Sequence, residues 1–169
     1  MTVRKEHWND KAAIRDVNLR AFGQPQEADI VDKLRENCTS VLSLVAVVEN
    51  RVVSHILFSP VTIAGEGRTI EGMGLGPMAV LPKYQRQGIG SELVHAGIAR
   101  LASIACPFVV VLGHPHYYPR FGFEPASRHG IRSEWKVPDE AFMILVLDQA
   151  RIQAVSGVAR YWPEFSAAL

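Results

Sequence analysis

Apolar and polar residues alternate along the chain with two different periods, and the N-terminal part predicts one strand followed by two helices. Residues 2–5 have the pattern of a short strand. Asn9 or Asp10 can cap a helix that ends at Gly23, and a second helix is predicted over residues 26–36. The predicted apolar face of the first helix consists of Ile14, Val17, Ala21 and Phe22.

The next part of the chain predicts three antiparallel strands. Residues 41–48 and 52–63 are rich in β-branched residues, and Asn50 between them can adopt the positive φ of a hairpin turn. A third strand, residues 69–81, contains Gly72, Gly74 and Gly76. Glycines inside a strand mark a bulge or a close backbone approach, and here we expect a bulge. The alternative is that they only ease the twist of the sheet.

A strand, a loop and a helix follow one another at the centre of the chain. Residues 78–81 suit a buried strand closed by Pro82, and from Ile89 onward the apolar spacing becomes helical. The buried face of this helix is predicted to contain Leu93, Val94, Gly97, Ile98 and Leu101. Residues 107–112 form a further strand, which we expect to lie parallel to 78–81 because a strand–helix–strand connection crosses over.

The C-terminal third predicts the remaining strands. Residues 121–125 and 142–148 are expected to be the last strands of the sheet, whereas 132–140 is polar and predicts a loop. Residues 158–163 predict an extra edge strand or a cover. Since 169 residues are enough for one core, we expect a single domain spanning 1–169.

The composition argues against several classes of partner. Lys and Arg total 18 and Asp and Glu total 17, so the formal charge of +1 provides no basic field for nucleic acid. The apolar runs are too short to cross a membrane. Cys38 and Cys106 fit no metal or redox spacing, and the N-terminus is charged where a signal peptide is apolar. We therefore expect reduced thiols in a cytoplasmic protein.

The loop before the central helix has the features of a phosphate-binding turn. Gly88 and Gly90 lie where free backbone N–H groups and the helix dipole face an anion, and Arg86 offers a cation. A glycine-rich turn before a core helix is the simpler alternative. The sequence contains no Gly-Lys pair, which excludes a P-loop, and Pro77 follows the nearest dinucleotide-like match where a helix should begin.

Two segments resemble the signatures of one enzyme family. Gln85-Arg86-Gln87-Gly88-Ile89-Gly90 is similar to the Gln/Arg-x-x-Gly-x-Gly/Ala motif of the GNAT superfamily of acyltransferases, which bind acetyl-CoA. Downstream, residues 118–123 are similar to the Tyr-x-x-x-Gly-Phe segment of that family. Two motifs in the right order are far more specific than either motif alone.

The resemblance implies both a fold and a cofactor. The fold is α/β (α+β), of GNAT type: a mixed, mostly antiparallel sheet with a parallel pair splayed at the cofactor cleft, flanked by helices. The co-substrate is acetyl-CoA, and no metal is implied. The backbone of Met78, Ala79 and Val80 is expected to bind the pantetheine arm, and the pyrophosphate is expected at Gln85, Arg86, Gln87, Gly88, Ile89 and Gly90.

The resemblance also implies catalytic residues. Tyr118 matches the tyrosine that protonates the departing thiolate, with an ordinary pKa of about 10, although the adjacent Tyr117 leaves the register open. Glu71 is the carboxylate nearest the predicted bulge and is expected to act as the base, with His114 as the alternative. His114 and His116 lack a third metal ligand at a recognisable spacing, so we expect no metal.

These features together predict an acetyl-CoA-dependent N-acetyltransferase that transfers an acetyl group to a primary amine by direct attack on the thioester. The acceptor is a small molecule or a peptide, with no nucleic acid or membrane partner, and residues 22–27 either contact it or form a solvated connection. The alternative function is a non-catalytic CoA-binding or sensing module of the same fold. The identity of the acceptor and the assembly state, a homodimer included, stay open.

Overall fold

The computed structural model describes residues 1–168, with side chains through Ser166. The helices are α1 (Lys11–Phe22), α2 (Gln26–Asn37), α3 (Ile89–Ser103) and α4 (Gln149–Ile152). The strands are β1 (Thr2–Lys5), β2 (Leu42–Val48), β3 (Arg51–Gly65), β4 (Arg68–Val80), β5 (Phe108–Leu112), β6 (Glu124–Pro125), β7 (Ile131–Ser133), β8 (Phe142–Val146) and β9 (Gly157–Arg160). No helix among the described residues is long and apolar enough to span a membrane.

The strands form one mixed sheet in the order β1-β2-β3-β4-β5-β8-β6, and β9 pairs with β3 and β7. Most neighbours are antiparallel, but β4 and β5 are parallel, with Met73 opposite Val109 and Leu75 opposite Val111. The short β7 and β9 form a second parallel pair, which the sequence did not predict. The mixed sheet with flanking helices confirms the predicted fold class.

The chain divides into two compact units. The first contains Met1–Ser59, Gly76–Gly97 and the segment from Pro163 onward; the second contains Pro60–Leu75 and Ile98–Trp162. Strands β3 and β4 and helix α3 each run from one unit into the other.

The first unit packs helices against the antiparallel strands at the start of the sheet. The β2–β3 hairpin turns through Glu49 and Asn50, whose φ angles are 49° and 63°, as predicted for a tight hairpin turn. Its core includes the fully buried side chains of Phe58 and Leu93. A Cβ atom at Gly97 would collide with the Phe58 ring, so this glycine lets α3 approach the sheet closely.

The second unit has its own apolar core around β5. Phe108, Val110, Ile144 and Ala159 are fully buried and belong to one cluster. Strand β8 pairs antiparallel with β5, and β9 pairs with the end of β3 through Thr62 opposite Arg160. The extra strand predicted at 158–163 is present as β9, but it pairs with both β3 and β7 and so does not lie at an edge, as we had expected. The predicted loop at 132–140 is corrected in part, since Arg132 and Ser133 lie in β7.

Helix α1 differs from the prediction in its buried face. Ile14 and Val17 are buried as expected, but Phe22 is 39% exposed and the polar Asn18 is completely buried. Gly23 ends the helix in a left-handed conformation with a φ of 68°. The Asp10 side chain makes no cap bond to α1; it accepts the His7 backbone N–H at 2.6 Å and pairs with Arg4 at 2.7 Å.

The glycines at positions 72 and 74 of β4 allow close contacts with neighbouring segments. A Cβ atom at Gly72 would collide with the backbone and ring of Phe108, and one at Gly74 would collide with Val61 and the Tyr161 ring. Gly76 has a φ of 149°, a conformation that other residues rarely adopt. Side chains from neighbouring segments thus occupy the space above Gly72 and Gly74.

Asn18 is buried because it hydrogen-bonds to a buried histidine. In β3, the Nδ1 atom of His55 lies 3.1 Å from Asn18 Nδ2, and its Nε2 atom lies 2.9 Å from the hydroxyl of Ser43. An amide nitrogen can only donate, so Nδ1 accepts and the ring proton lies on Nε2. Burial, aided by the charge of Arg35, lowers the pKa of His55 to about 3. The network therefore holds a neutral histidine inside the first unit.

This burial predicts acid sensitivity. Between pH ~3 and ~6.5 the unfolded chain binds a proton at His55 and the folded chain does not, so the free energy of unfolding falls as the pH falls. The limiting slope is about 1.4 kcal/mol per pH unit. Urea unfolding at a series of pH values from neutral to acidic measures the free energy of unfolding. This free energy should depend less steeply on pH in His55→Gln than in wild type. His116→Gln, at an exposed site, should match wild type. Equal slopes in His55→Gln and wild type would contradict the assignment.

Candidate active site

The turn before α3 has the backbone geometry that the glycines predicted. Arg86 and Gly88 both have positive φ angles, 62° and 83°, and both are exposed. The Gly88 carbonyl accepts the first helical bond, from Glu92 N–H at 3.1 Å. The N–H groups that begin α3, from Ile89 onward, consequently have no carbonyl partner within the helix. The Ile89 side chain is buried and anchors the turn to the core.

Two of the predicted cofactor-binding residues stabilise this loop with their side chains. Gln85 Nε2 donates to the Val80 carbonyl at 3.0 Å, and Gln87 Nε2 donates to the Lys83 carbonyl at 3.3 Å. Both glutamines are exposed. They therefore fix the path of the chain between β4 and α3, while the backbone of the turn stays accessible.

The end of β4 places its predicted backbone groups on two different edges. Ala79 carbonyl accepts the Ser54 hydroxyl of β3 at 2.8 Å, and Leu81 N–H donates to Val53 at 2.9 Å. Because neighbouring residues of a strand direct their N–H and C=O groups to opposite edges, Met78 and Val80 face away from β3. Leu75 is the last residue of β4 that pairs with β5, and it precedes both Met78 and Val80. The structure thus directs Met78 and Val80 to the other edge and turns Ala79 toward β3.

Tyr118 begins a short 3₁₀ turn, Tyr118–Phe121, in the second unit. It is only 7% exposed, its ring packs edge-on against Phe123 at 5.7 Å, and a Cβ atom at Gly113 would collide with it. Burial, followed by the effect of Tyr117, raises the pKa of Tyr118 well above its ordinary value. The phenol is therefore protonated at physiological pH, and the expected pKa of about 10 is too low.

Tyr117 lies in a different environment from its neighbour. Its ring is half-buried, and the guanidinium of Arg120 lies 4.7 Å from the ring centroid. The two tyrosine rings meet edge-to-face at 5.1 Å. Of these two tyrosines, Tyr118 is buried and Tyr117 is half-buried, which distinguishes the two candidates physically.

Sequence reasoning did not identify Tyr161. Its ring lies against Gly74 of β4, packs on Trp135 at 4.9 Å, and its backbone N–H donates to Glu134 at 2.8 Å. Burial, Glu134 and Tyr118 together raise the pKa of Tyr161. Tyr161 lies 43 residues beyond Tyr118 and belongs to no motif, so no local signal could have indicated it.

The structure does not bring Glu71 and Tyr118 together. The charge of Glu71 acts on the Cys106 thiol, whose pKa is raised mainly by burial, just before β5 begins. Tyr118 follows the other end of β5. His114 also follows that end; it is exposed, and its carbonyl accepts the Tyr118 N–H at 3.4 Å. Among the described residues there is no group of three or more His, Cys, Asp or Glu side chains able to hold a metal.

Comparison with known proteins identifies the family. The family model described as an acetyltransferase (GNAT) domain matches residues 2–126 of this chain. YjhQ of Escherichia coli K12, named an uncharacterized N-acetyltransferase, is 43% identical over 135 residues, 78% of this chain and 75% of the relative. YhbS of the same strain, named likewise, is 35% identical over 167 residues, 98% of this chain and 99% of the relative. The chain belongs to the GNAT acetyltransferase family and is an acyltransferase by class.

Solved structures agree with this assignment. The E. coli YhbS structure in complex with CoA has a TM-score of 0.91 and 34% identity, covering 98% of this chain and 91% of that one. A GNAT family acetyltransferase from Brucella melitensis in complex with acetyl-CoA has a TM-score of 0.79 and 35% identity, covering 97% of each chain.

Proposed function

We propose that the protein is an acetyl-CoA-dependent N-acetyltransferase that acetylates a primary amine of a small molecule or peptide, with residues 1–169 acting as one catalytic domain. The observation that carries the proposal is the exposed turn before α3, in which Gly88 has a φ of 83°. This conformation leaves the first N–H groups of a long helix without side chains in front of them. The CoA-bound relatives support the choice of ligand.

The residues present suit acetyl-CoA, which supplies the acetyl group as a thioester. Backbone N–H groups at Gly88, Ile89 and Gly90 hold the pyrophosphate, aided by the dipole of α3 and by the exposed guanidinium of Arg86. The edge of β4 that carries Met78 and Val80 pairs with the pantetheine amides. Ala79, Gln85 and Gln87 support these groups through the hydrogen bonds described above.

Tyr118 serves as the acid. Transfer to an amine releases a thiolate, which requires a proton. The buried phenol of Tyr118 holds that proton, because burial disfavours its phenolate form. Tyr161 is a second buried phenol whose pKa responds to Tyr118, so both side chains belong to the same electrostatic environment. The sulfur is protonated by Tyr118 as the bond to the acetyl carbon breaks.

His114 is the better candidate for the base. An ammonium group must lose a proton before it can attack the thioester, and an imidazole suits that task near neutral pH. His114 is exposed and follows the same end of β5 as Tyr118, whereas Glu71 lies by the beginning of β5. The expected role of Glu71 therefore passes to His114 in this proposal.

Replacement of Gly90 by Glu tests the phosphate turn. A carboxylate in the first turn of α3 repels the pyrophosphate and occupies its space, so CoA affinity should fall by at least about 2 kcal/mol, or roughly 30-fold. The fold should persist because acidic residues are favourable at a helix N-terminus. Isothermal titration calorimetry with CoA measures the loss. Ala99→Glu, at an exposed position further along α3, is the matched control. Equal CoA affinity in folded Gly90→Glu and wild type would place the cofactor elsewhere.

Replacement of Tyr118 by Phe tests the acid. The ring and its packing remain, so the melting temperature and acetyl-CoA affinity should barely change, while kcat should fall roughly 10²–10⁴-fold. Thiol release with a panel of amines measures the effect. The raised pKa of Tyr118 should keep its phenol protonated near pH ~10, so the titration of Tyr118 should cause no loss of wild-type activity there. Tyr117→Phe is the control and should retain activity. Full activity in Tyr118→Phe would contradict the role, and no thiol release from wild type would favour the sensing module.

A further inference from the structure

The second unit contains a pocket beside β7 whose lining residues have no role in the function proposed above. Its volume is about 270 Å³, slightly below the usual range of ligand pockets, so it suits a compact molecule. Segments on both sides of β7, from Ser127 to Phe142, form the wall. The apolar lining includes Ile131, Trp135, Val137 and Phe142.

Two cations line this pocket and form no ion pair with the residues that the structure describes. Arg132 and Lys136 line the wall and are exposed, and neither takes part in any ion pair among the described residues. Asp139 also lines the pocket, where its carboxylate accepts the hydroxyl of Ser127, another lining residue, at 2.9 Å. Glu134 is not part of the lining and accepts the Tyr161 N–H at 2.8 Å. With two cations and one carboxylate, the lining is net positive, and a net positive charge beside an apolar surface favours an anion that carries an apolar body.

The aromatic wall is held in place before any ligand arrives. The Trp135 backbone N–H donates to the Ser133 hydroxyl at 3.0 Å, and its indole packs on Tyr161 at 4.9 Å. Phe142 is buried, with a side chain 4% exposed, in the core of the unit. A pre-formed surface loses less conformational entropy on binding than a mobile one.

We propose that this β7 pocket binds a compact aryl carboxylate, with the carboxylate at Arg132 and Lys136 and the ring against Trp135 and Phe142. A bare inorganic anion would leave the apolar wall unused, and the net positive charge of the lining disfavours a cation. A nucleotide is too large for about 270 Å³. None of the lining residues has a role in the acetyl transfer proposed above, so failure of either proposal leaves the other standing.

The test uses benzoate and its neutral counterpart benzamide, which share a ring and nearly the same shape. Benzoate added to the ¹⁵N-labelled full-length protein should give saturable shifts of the Ile131, Trp135 and Phe142 amides, with a Kd of about 1 mM. Benzamide should bind at least tenfold more weakly, because it lacks the charge. Shifts that are absent or spread elsewhere, or equal affinity for the two probes, would overturn the proposal.

Two double variants test whether Arg132 and Lys136 bind the carboxylate of benzoate. Arg132→Gln combined with Lys136→Gln should weaken benzoate binding at least tenfold without unfolding the protein, since both side chains are exposed. Arg100→Gln combined with Arg68→Gln removes the same charge at other exposed positions and should bind benzoate as wild type does. Equal binding by the two double variants would overturn the proposal. The final experiment adds saturating CoA to the benzoate complex, and benzoate should stay bound. Displacement of benzoate by CoA would overturn the proposal, because it would show that the pocket belongs to the cofactor site.

Discussion

The parallel pairing of β4 with β5 is the constraint on which both motifs depend. Parallel neighbours cannot be joined by a tight turn, so the chain between Val80 and Phe108 must cross over, and it does so through α3. The helix therefore begins shortly after the end of β4, and its first N–H groups follow that strand. The Tyr118 segment similarly follows the end of β5. The β4–β5 pairing thus determines that the phosphate turn follows the end of β4 and that the buried phenol follows the end of β5.

A second feature of the structure is that a glycine lies against the ring of each buried tyrosine. Gly74 makes room for the Tyr161 ring, and Gly113 makes room for the Tyr118 ring. With their rings packed so closely, both phenols are shielded from water, and burial is the largest cause of the raised pKa of each. Packing in the second unit consequently extends the pH range over which both phenols stay protonated.

Local sequence patterns predicted the regular elements well because period and turn chemistry are local properties. The hairpin at Asn50, the end of α1 at Gly23 and the beginning of α3 at Ile89 all follow from residues within a few positions. The turn at Gly88 was predictable for the same reason. Its supporting bonds from Gln85 and Gln87 were not, since side-chain bonds within a loop depend on its full three-dimensional path.

The misassigned residues depend on distant partners. Asn18 is polar and was not among the residues predicted for the apolar face of α1, but its hydrogen bond to His55, 37 residues away, holds it in the interior. Phe22 was expected inside and is exposed at the end of that helix. Tyr161 contacts Gly74 across 87 residues of sequence. No window of local periodicity contains such pairs, which is why the fold was predicted more completely than the surroundings of the site.

The central claim is that the turn before α3 binds the phosphates of acetyl-CoA, and backbone amide chemical shifts test it most directly. Titration of the ¹⁵N-labelled full-length protein with CoA should shift the N–H resonances of Gly88, Ile89 and Gly90 most strongly, because those groups donate to the pyrophosphate. Dephospho-CoA, which retains the pyrophosphate, should shift the same three resonances. Saturation by CoA with those resonances unmoved would contradict the account.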